Sequence, residues 1–359
     1  MKQSKHNIYY SPKEVRTILE RSINTALDGL KCYCNDPVSD FTRCRKLPAR
    51  TLIECIMSFS NYSSIGELSH FFVGQGEMPS ASALSQRRQL LDPDIFKRIN
   101  NLFVSAFDDH TTINGYHILA QDGSDVNIPF MDDKTKTEKH DAKSFCQYHV
   151  NALYDCLNKV FYDWSIDAAS KKREVNALIS ILKDRNYPHN SIFTADRGYE
   201  SYNLMAHFIE NDIKFVIRVK DIHTKSGLMT NIKTEEGAFD MRVNRTLTSL
   251  QTKEIKADKE KYIFVPSTSN FDFLDENRDF YDLSFRAVRF KISEDVYETV
   301  VTNLSEEEFK AEDFKELYHY RWNEETAFNK LKYTIGLVYF HARKRKLIQQ
   351  EINAAFLMY

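Results

Sequence analysis

An α/β fold is predicted for this 359-residue chain, helices first and a mixed sheet after. Three observations predict it. Apolar residues recur at helical spacing through residues 1 to about 110. From about residue 115, apolar runs end in acidic or glycine-containing stretches, as buried strands do, and amphipathic segments lie between them. From 221 to 294 the pattern becomes alternating and strand-like, broken by polar turns.

The helical part opens on "SPKEVRTILERSINTAL", with Ser11 as the N-cap and Pro12 at the first helical position. "RTLIECIMSFS" and "SIGELSHFF" follow as apolar helical segments. "PSASALSQRRQLLDPDIFKRINNLFVSAF" then supplies a Ser cap, a basic pair at Arg87 and Arg88, and a second helix after Asp92-Pro93. That pair and "RCRKLPAR" at 43–50 are local basic clusters that can meet phosphate, or simply face water on a helical bundle.

"GYHILAQDGSDVNIP" reads as a buried strand ending in acid at Asp122, followed by a turn at Gly123. "YHVNALYDCLNKVFYDWSIDAA" reads as a hairpin about Leu157, Asn158 and Lys159, and "KKREVNALISILKDRN" as an amphipathic helix. "SIFTADRGYESYNLMAHFIENDIKFVIRVKD" gives strand, acidic turn at Asp196, helix and strand. "AFDMRVNRTLTSLQ", "KYIFVPS" and "YDLSFRAVRFKI" are strand-like, and "VYETVVTNL" with a long helix resumes the earlier character.

Composition bounds the function. With 42% hydrophobic and 28% charged residues the chain can bury a substantial core, and its length calls for more than one unit. The formal net charge of −2 announces no general affinity for nucleic acid, so a DNA-binding surface has to be local. The N-terminus lacks an apolar signal-peptide segment, and no run approaches the roughly 18 apolar residues of a membrane-spanning helix. A cytoplasmic protein without membrane contact is expected. Cys32, Cys34 and Cys44 suggest a zinc knuckle, but no Cys-x-x-Cys occurs and Cys55 sits in the apolar "TLIECIMSF". Reduced, unlinked thiols are the expectation for all six cysteines.

The chemistry concentrates in "YHYRWNEETAFNKLK", residues 318–332. At 100° per residue, Arg321, Glu325 and Lys332 fall at about −60°, −20° and −40° from Tyr318, one narrow stripe on a single helix. Leu317, Phe328, Leu331 and Ile335 form the adjoining core face, where Glu324 also points. Such a stripe on its own is equally a set of surface charges. Asp122 and Asp196 change its meaning, because strands of one mixed sheet can bring them together and the helix can add Glu325. Three clustered carboxylates require cations, and hard oxygen ligands suit Mg²⁺ or Mn²⁺. Asp125 and Glu200 are the competing carboxylates, and Trp322 is expected in the core.

These motifs resemble those of bacterial insertion-sequence transposases of the DDE type. "QDGSDVNIP" is similar to the first-Asp motif and "TADRGYESYNL" to the second. Tyr318-x2-Arg321-x3-Glu325-x6-Lys332 is similar to the Tyr-Arg-Glu-Lys signature of the group with a β-rich insertion. The resemblance covers about residues 80–359. It implies an RNase H-like core with Asp122, Asp196 and Glu325 as catalytic metal ligands for two Mg²⁺ or Mn²⁺ ions. It implies that Tyr318, Arg321, Lys332, Arg197 and Tyr199 meet the DNA end, and that nicking is followed by attack of the freed 3′ hydroxyl, in the related group through a hairpin. The expected divisions are a helical DNA-binding domain at 1–110, the catalytic core at 111–220 and 295–359, and the β-rich insertion at 221–294. Double-stranded DNA at transposon ends and a homodimeric synaptic complex are the expected partners. Family members usually continue beyond "EINAAFLMY", so a shortened product is also expected. Two rival functions are a metal-dependent nuclease on the same fold, which would cut without joining, and a non-catalytic copy that only binds DNA.

Overall fold

The computed structural model describes residues 1–359 except 5–9, 44, 45, 75, 108, 109, 132, 134, 140, 141, 170–172, 223 and 225, and the side chains of 137–139, 142 and 143. In chain order, β1 (Gln3–Ser4) precedes five helices: α1 (Pro12–Asp28), α2 (Ala49–Met57), α3 (Ser64–Phe71), α4 (Ala81–Leu90) and α5 (Asp94–Val104). Next come β2 (Thr112–Ile113), β3 (His117–Ile128), β4 (Lys136–Lys139), β5 (Ala142–Asp155) and β6 (Val160–Ala168). Then α6 (Glu174–Asp184), β7 (Ser191–Ala195), α7 (Tyr202–Glu210) and β8 (Lys214–Val219) alternate. β9 (Phe239–Thr248), α8 (Lys253–Ala257), β10 (Tyr262–Phe264), β11 (Phe280–Ser293) and β12 (Val296–Thr302) follow. The chain closes with α9 (Asp313–His319), α10 (Trp322–Lys330), a π-helical turn at Leu331–Ile335, and α11 (Arg345–Met358).

Local chemistry sets the helix starts. Ser11 and Glu14 form a reciprocal capping box on α1, and the Ser63 and Ser80 hydroxyls accept the N–H groups of Gly66 and Ala83. The apolar faces of these helices, with Ile23, Leu52, Ile53, Leu68, Ile95 and Phe96, make one core.

The central strands run in the order β6, β5, β3, β7, β8. β6, β5 and β3 are antiparallel neighbours, whereas β3, β7 and β8 are parallel through α6 and α7 crossovers. This is the RNase H-like mixed sheet. Alternation along β3 sends Ile118 and Ala120 toward α9, α10 and α11, and Leu119 toward α6 and α7. Residues 221–294 supply β9, β10 and β11, and they do not fold away from the core. β12 pairs with β8, β11 with β12 and β9 with β11, all antiparallel, so the segment lengthens the same sheet.

The last helix joins the layers. Ala354 and Leu357 enter the helical core, while Ile348, Ile352 and Phe356 enter the sheet's core. The Gln350 amide donates to the carbonyls of Arg88 and Leu91, both at 2.7 Å, and Trp164 Nε1 donates to Asn353 at 2.8 Å. Arg88, expected on a basic surface, is buried here because it meets Glu351 and the Leu347 carbonyl. Arg87 donates to the Leu47 carbonyl, with its guanidinium over the Phe41 ring.

Candidate active site

Asp122 lies within β3, not at its end. No turn forms at Gly123, because β3 stays paired with β5 as far as Ile128. Gly123 serves close packing instead: a Cβ there would stand 2.3 Å from His149 Nε2. Asp196 directly follows β7 and accepts the Gly198 N–H at 2.7 Å. Gln121 pairs with Ala195 in the parallel ladder, so the two aspartates are the next residues on adjoining strands. Strand pairing itself brings them side by side.

The third acid arrives on α10, which packs against β3. The single helix expected across the signature is in fact two, followed by a π turn. Around the junction the Arg321 N–H donates to the Tyr318 carbonyl at 3.1 Å and the Glu324 N–H to the Arg321 carbonyl at 3.0 Å. These bonds span three residues, tightening the chain where α9 passes into α10. Arg321 is only 4% exposed, and its guanidinium links the acids. Nη2 donates to Glu325 Oε1 at 2.8 Å, and Nη1 stands 3.5 Å from Asp122 Oδ2.

The electrostatics agree with this closeness. Burial raises the Asp122 carboxyl above its ordinary range, and the charges of Asp196 and Glu325 add to the rise. The Gly123 N–H and Arg321 pull the other way. Glu324, facing inward beside Asp122, is raised far more, by burial first and then by Asp122. It is 0% exposed, with the Asp122 backbone N–H beside it as a donor that partly offsets the rise. Arg321 Nε and the Tyr318 hydroxyl are buried without a hydrogen-bond partner, whereas the Tyr199 hydroxyl and the Gln121 amide meet each other.

Among the described residues, no group of three His, Cys, Asp or Glu side chains is placed to hold a metal. The Arg321 guanidinium lies between Asp122 and Glu325. The donor chemistry is of the kind that suits a divalent ion, since Asp122, Asp196 and Glu325 offer hard carboxylate oxygens.

The other expected residues divide. Arg197 is exposed, and Lys332, in the π turn, is partly exposed, with burial lowering its pKa against the pull of Asp125. Tyr318 and Tyr199, expected at DNA, are 1% and 0% exposed. They back the site from the core. Asp125 is not beside Asp122, because alternation turns it to the other face, where His149 Nδ1 lies at 2.7 Å. Glu200 accepts the N–H groups of Lys220 and Leu228, fixing the chain after β8. Trp322, expected in the core, is 46% exposed. Sequence reasoning placed Glu324 on the helix's core face but gave it no part in the site. Cys32, Cys34, Cys55, Cys146 and Cys156 are unlinked, and Cys44 lies outside the described residues.

The family described as "Transposase DDE domain" matches residues 113–359, which hold every strand of the central sheet and all three acids. No curated protein matches the chain. Among solved structures, the chain is similar to piggyBac transposase in a cryo-EM synaptic complex with hairpin DNA. That similarity has 10% identity and a TM-score of 0.43, over 97% of this chain and 71% of the other.

Proposed function

This chain belongs to the transposase DDE-domain family, and from that membership we propose that it cuts and joins DNA at transposon ends. The observation that carries the proposal is the meeting of Asp122, Glu325 and Arg321, with Asp196 on the adjoining strand, inside the matched region. Asp122, Asp196 and Glu325 would hold two Mg²⁺ or Mn²⁺ ions, which supply charge neutralisation and Lewis-acid activation for phosphodiester cleavage.

The chain's own residues do the rest. Arg197 and Lys332, the cations that reach solvent, address the phosphates of the end. Arg321 stays within the acids as their internal counter-charge, supported by Tyr318, while Tyr199 packs in the core between the sheet and α6 and α7. The N-terminal helices grip the inverted repeat, with the basic stretch at 43–50 as the contact. Two copies of the chain pair two ends. Bacterial insertion-sequence origin belongs to the same reading and rests on the Tyr318, Arg321, Glu325 and Lys332 spacing.

A labelled transposon end incubated with Mg²⁺ tests the assignment. Wild type cleaves it, whereas Asp122→Asn, Asp196→Asn and Glu325→Gln bind but do not cleave. Any of the three cutting at near wild-type rate removes that residue from the catalytic set.

A further inference from the structure

Downstream of Glu325 the chain carries one sign of charge. Between Glu325 and Glu351 no Asp or Glu occurs, whereas Lys330, Lys332, Arg343, Lys344, Arg345 and Lys346 do. The chain as a whole is near balance, with 49 Lys and Arg against 51 Asp and Glu, so this stretch departs from its surroundings. It starts at the end of α10, passes the π turn and runs along the helical part to α11. Gly336, at φ 99°, lies so close to that part that a Cβ would stand 2.9 Å from Asn61 Oδ1, and the His341 ring meets the Phe59 ring at 4.5 Å. The Lys344 ammonium donates to Gln89 Oε1 at 2.7 Å and Lys346 to the Gln89 carbonyl at 2.9 Å, neutral acceptors that leave both charges uncancelled. Among the described residues, Arg345 is the one of the six with an ion pair, to Asp133. Lys330, Arg343 and Lys344 are exposed, and between the first two Tyr333 and Tyr339 are 73% and 57% exposed.

Contact with water requires charge, but not charge of one sign. Like charges gathered on one surface repel one another, and a polyanion relieves that repulsion. Resting on the DNA reading above, we propose that residues 330–344 form a second DNA-contacting surface. It follows the sugar–phosphate backbone of duplex DNA from the active site toward the N-terminal helices. Lys330, Arg343 and Lys344 meet phosphates and release condensed counterions, and the Tyr333 and Tyr339 hydroxyls are neutral donors to the same backbone. No carboxylate in the stretch repels the strand. Backbone contacts position DNA and carry no base sequence, so this surface adds affinity for any duplex. Recognition of the repeat stays with the helices.

Titration of the full chain, without metal, against a random-sequence DNA duplex at several salt concentrations tests this. Lys330→Gln/Arg343→Gln removes two exposed cations that stand outside any ion pair, and a thermal melt should show the fold unchanged. The log–log salt slope of affinity should fall by about two units. Lys330→Arg/Arg343→Lys keeps both charges and should keep the wild-type slope. Lys183→Gln removes an exposed cation from α6, on the opposite side of the sheet, and should leave the slope as it is. A wild-type slope in the Gln pair overturns the proposal. So does an equal loss per charge in Lys183→Gln, which would show an effect of bulk charge alone. If wild type binds neither this duplex nor one carrying a transposon end, the DNA reading itself falls.

Discussion

Arg88 and Glu351, 263 positions apart, meet at 2.7 Å in the interior, with their side chains 3% and 6% exposed. The pair ties α4 to α11, and Arg88 also donates to Gln350 and to the Leu347 carbonyl. Removing one partner leaves the other's charge in a poorly solvated place. Arg88→Met should therefore lower stability by about 3–5 kcal/mol in urea unfolding. Adding Glu351→Gln should recover part of the loss. A change within the error of the measurement would mean that the pair contributes little.

The cations of the site should separate in salt titrations. Each phosphate contact adds about one unit to the log–log slope of DNA affinity against salt. Lys332→Ala and Arg197→Ala should each lower that slope by about one. Arg321→Ala should leave it unchanged, because its guanidinium is engaged with Asp122 and Glu325. Binding to a transposon end without metal, at several salt concentrations, gives the slopes.

Gly123 has no room for a methyl group. The clashing atom belongs to His149, whose Nδ1 and Nε2 stand 2.7 Å from Asp125 and 3.1 Å from Glu174, so the ring cannot easily retreat. Gly123→Ala should destabilise the protein by about 1–3 kcal/mol, the usual cost of overpacking. His149→Ala in the same chain should relieve part of it. A thermal melt of the two variants decides.

His341 lies between Glu67 and Glu351, at 3.1 and 3.3 Å. Burial works against its charged form, but the two carboxylates outweigh burial and raise its pKa. A raised folded pKa means that its stabilising contribution is complete below the unfolded value of about 6.5. That contribution fades as pH rises through the higher folded value. Wild type should lose stability across that window, and His341→Asn should show a flatter profile in urea midpoints measured from pH 6 upward.

Much of this could be read from residue order. The apolar run before Asp122 and the strand before Asp196 were visible as patterns, and so was the Ser11 cap. The parallel pairing of Gln121 with Ala195 was not, since register depends on contacts 74 residues apart in sequence. The stripe of Tyr318, Arg321, Glu325 and Lys332 was legible as spacing, but its burial was not. An ideal helix hides the tightened junction at Arg321 and the π turn at Lys332. Trp322 and Arg88 misled for one reason: residue type gives a preference for core or surface, while the neighbouring elements decide. Arg88 went inside because α11 brought it Glu351.

The ladder between β3 and β7 also makes the site intolerant of error. Five residue pairs set its register. A slip of one residue would turn Asp122 to the opposite side of the sheet, away from α10. Asp122 and Asp196 therefore come together only when this part of the sheet has locked.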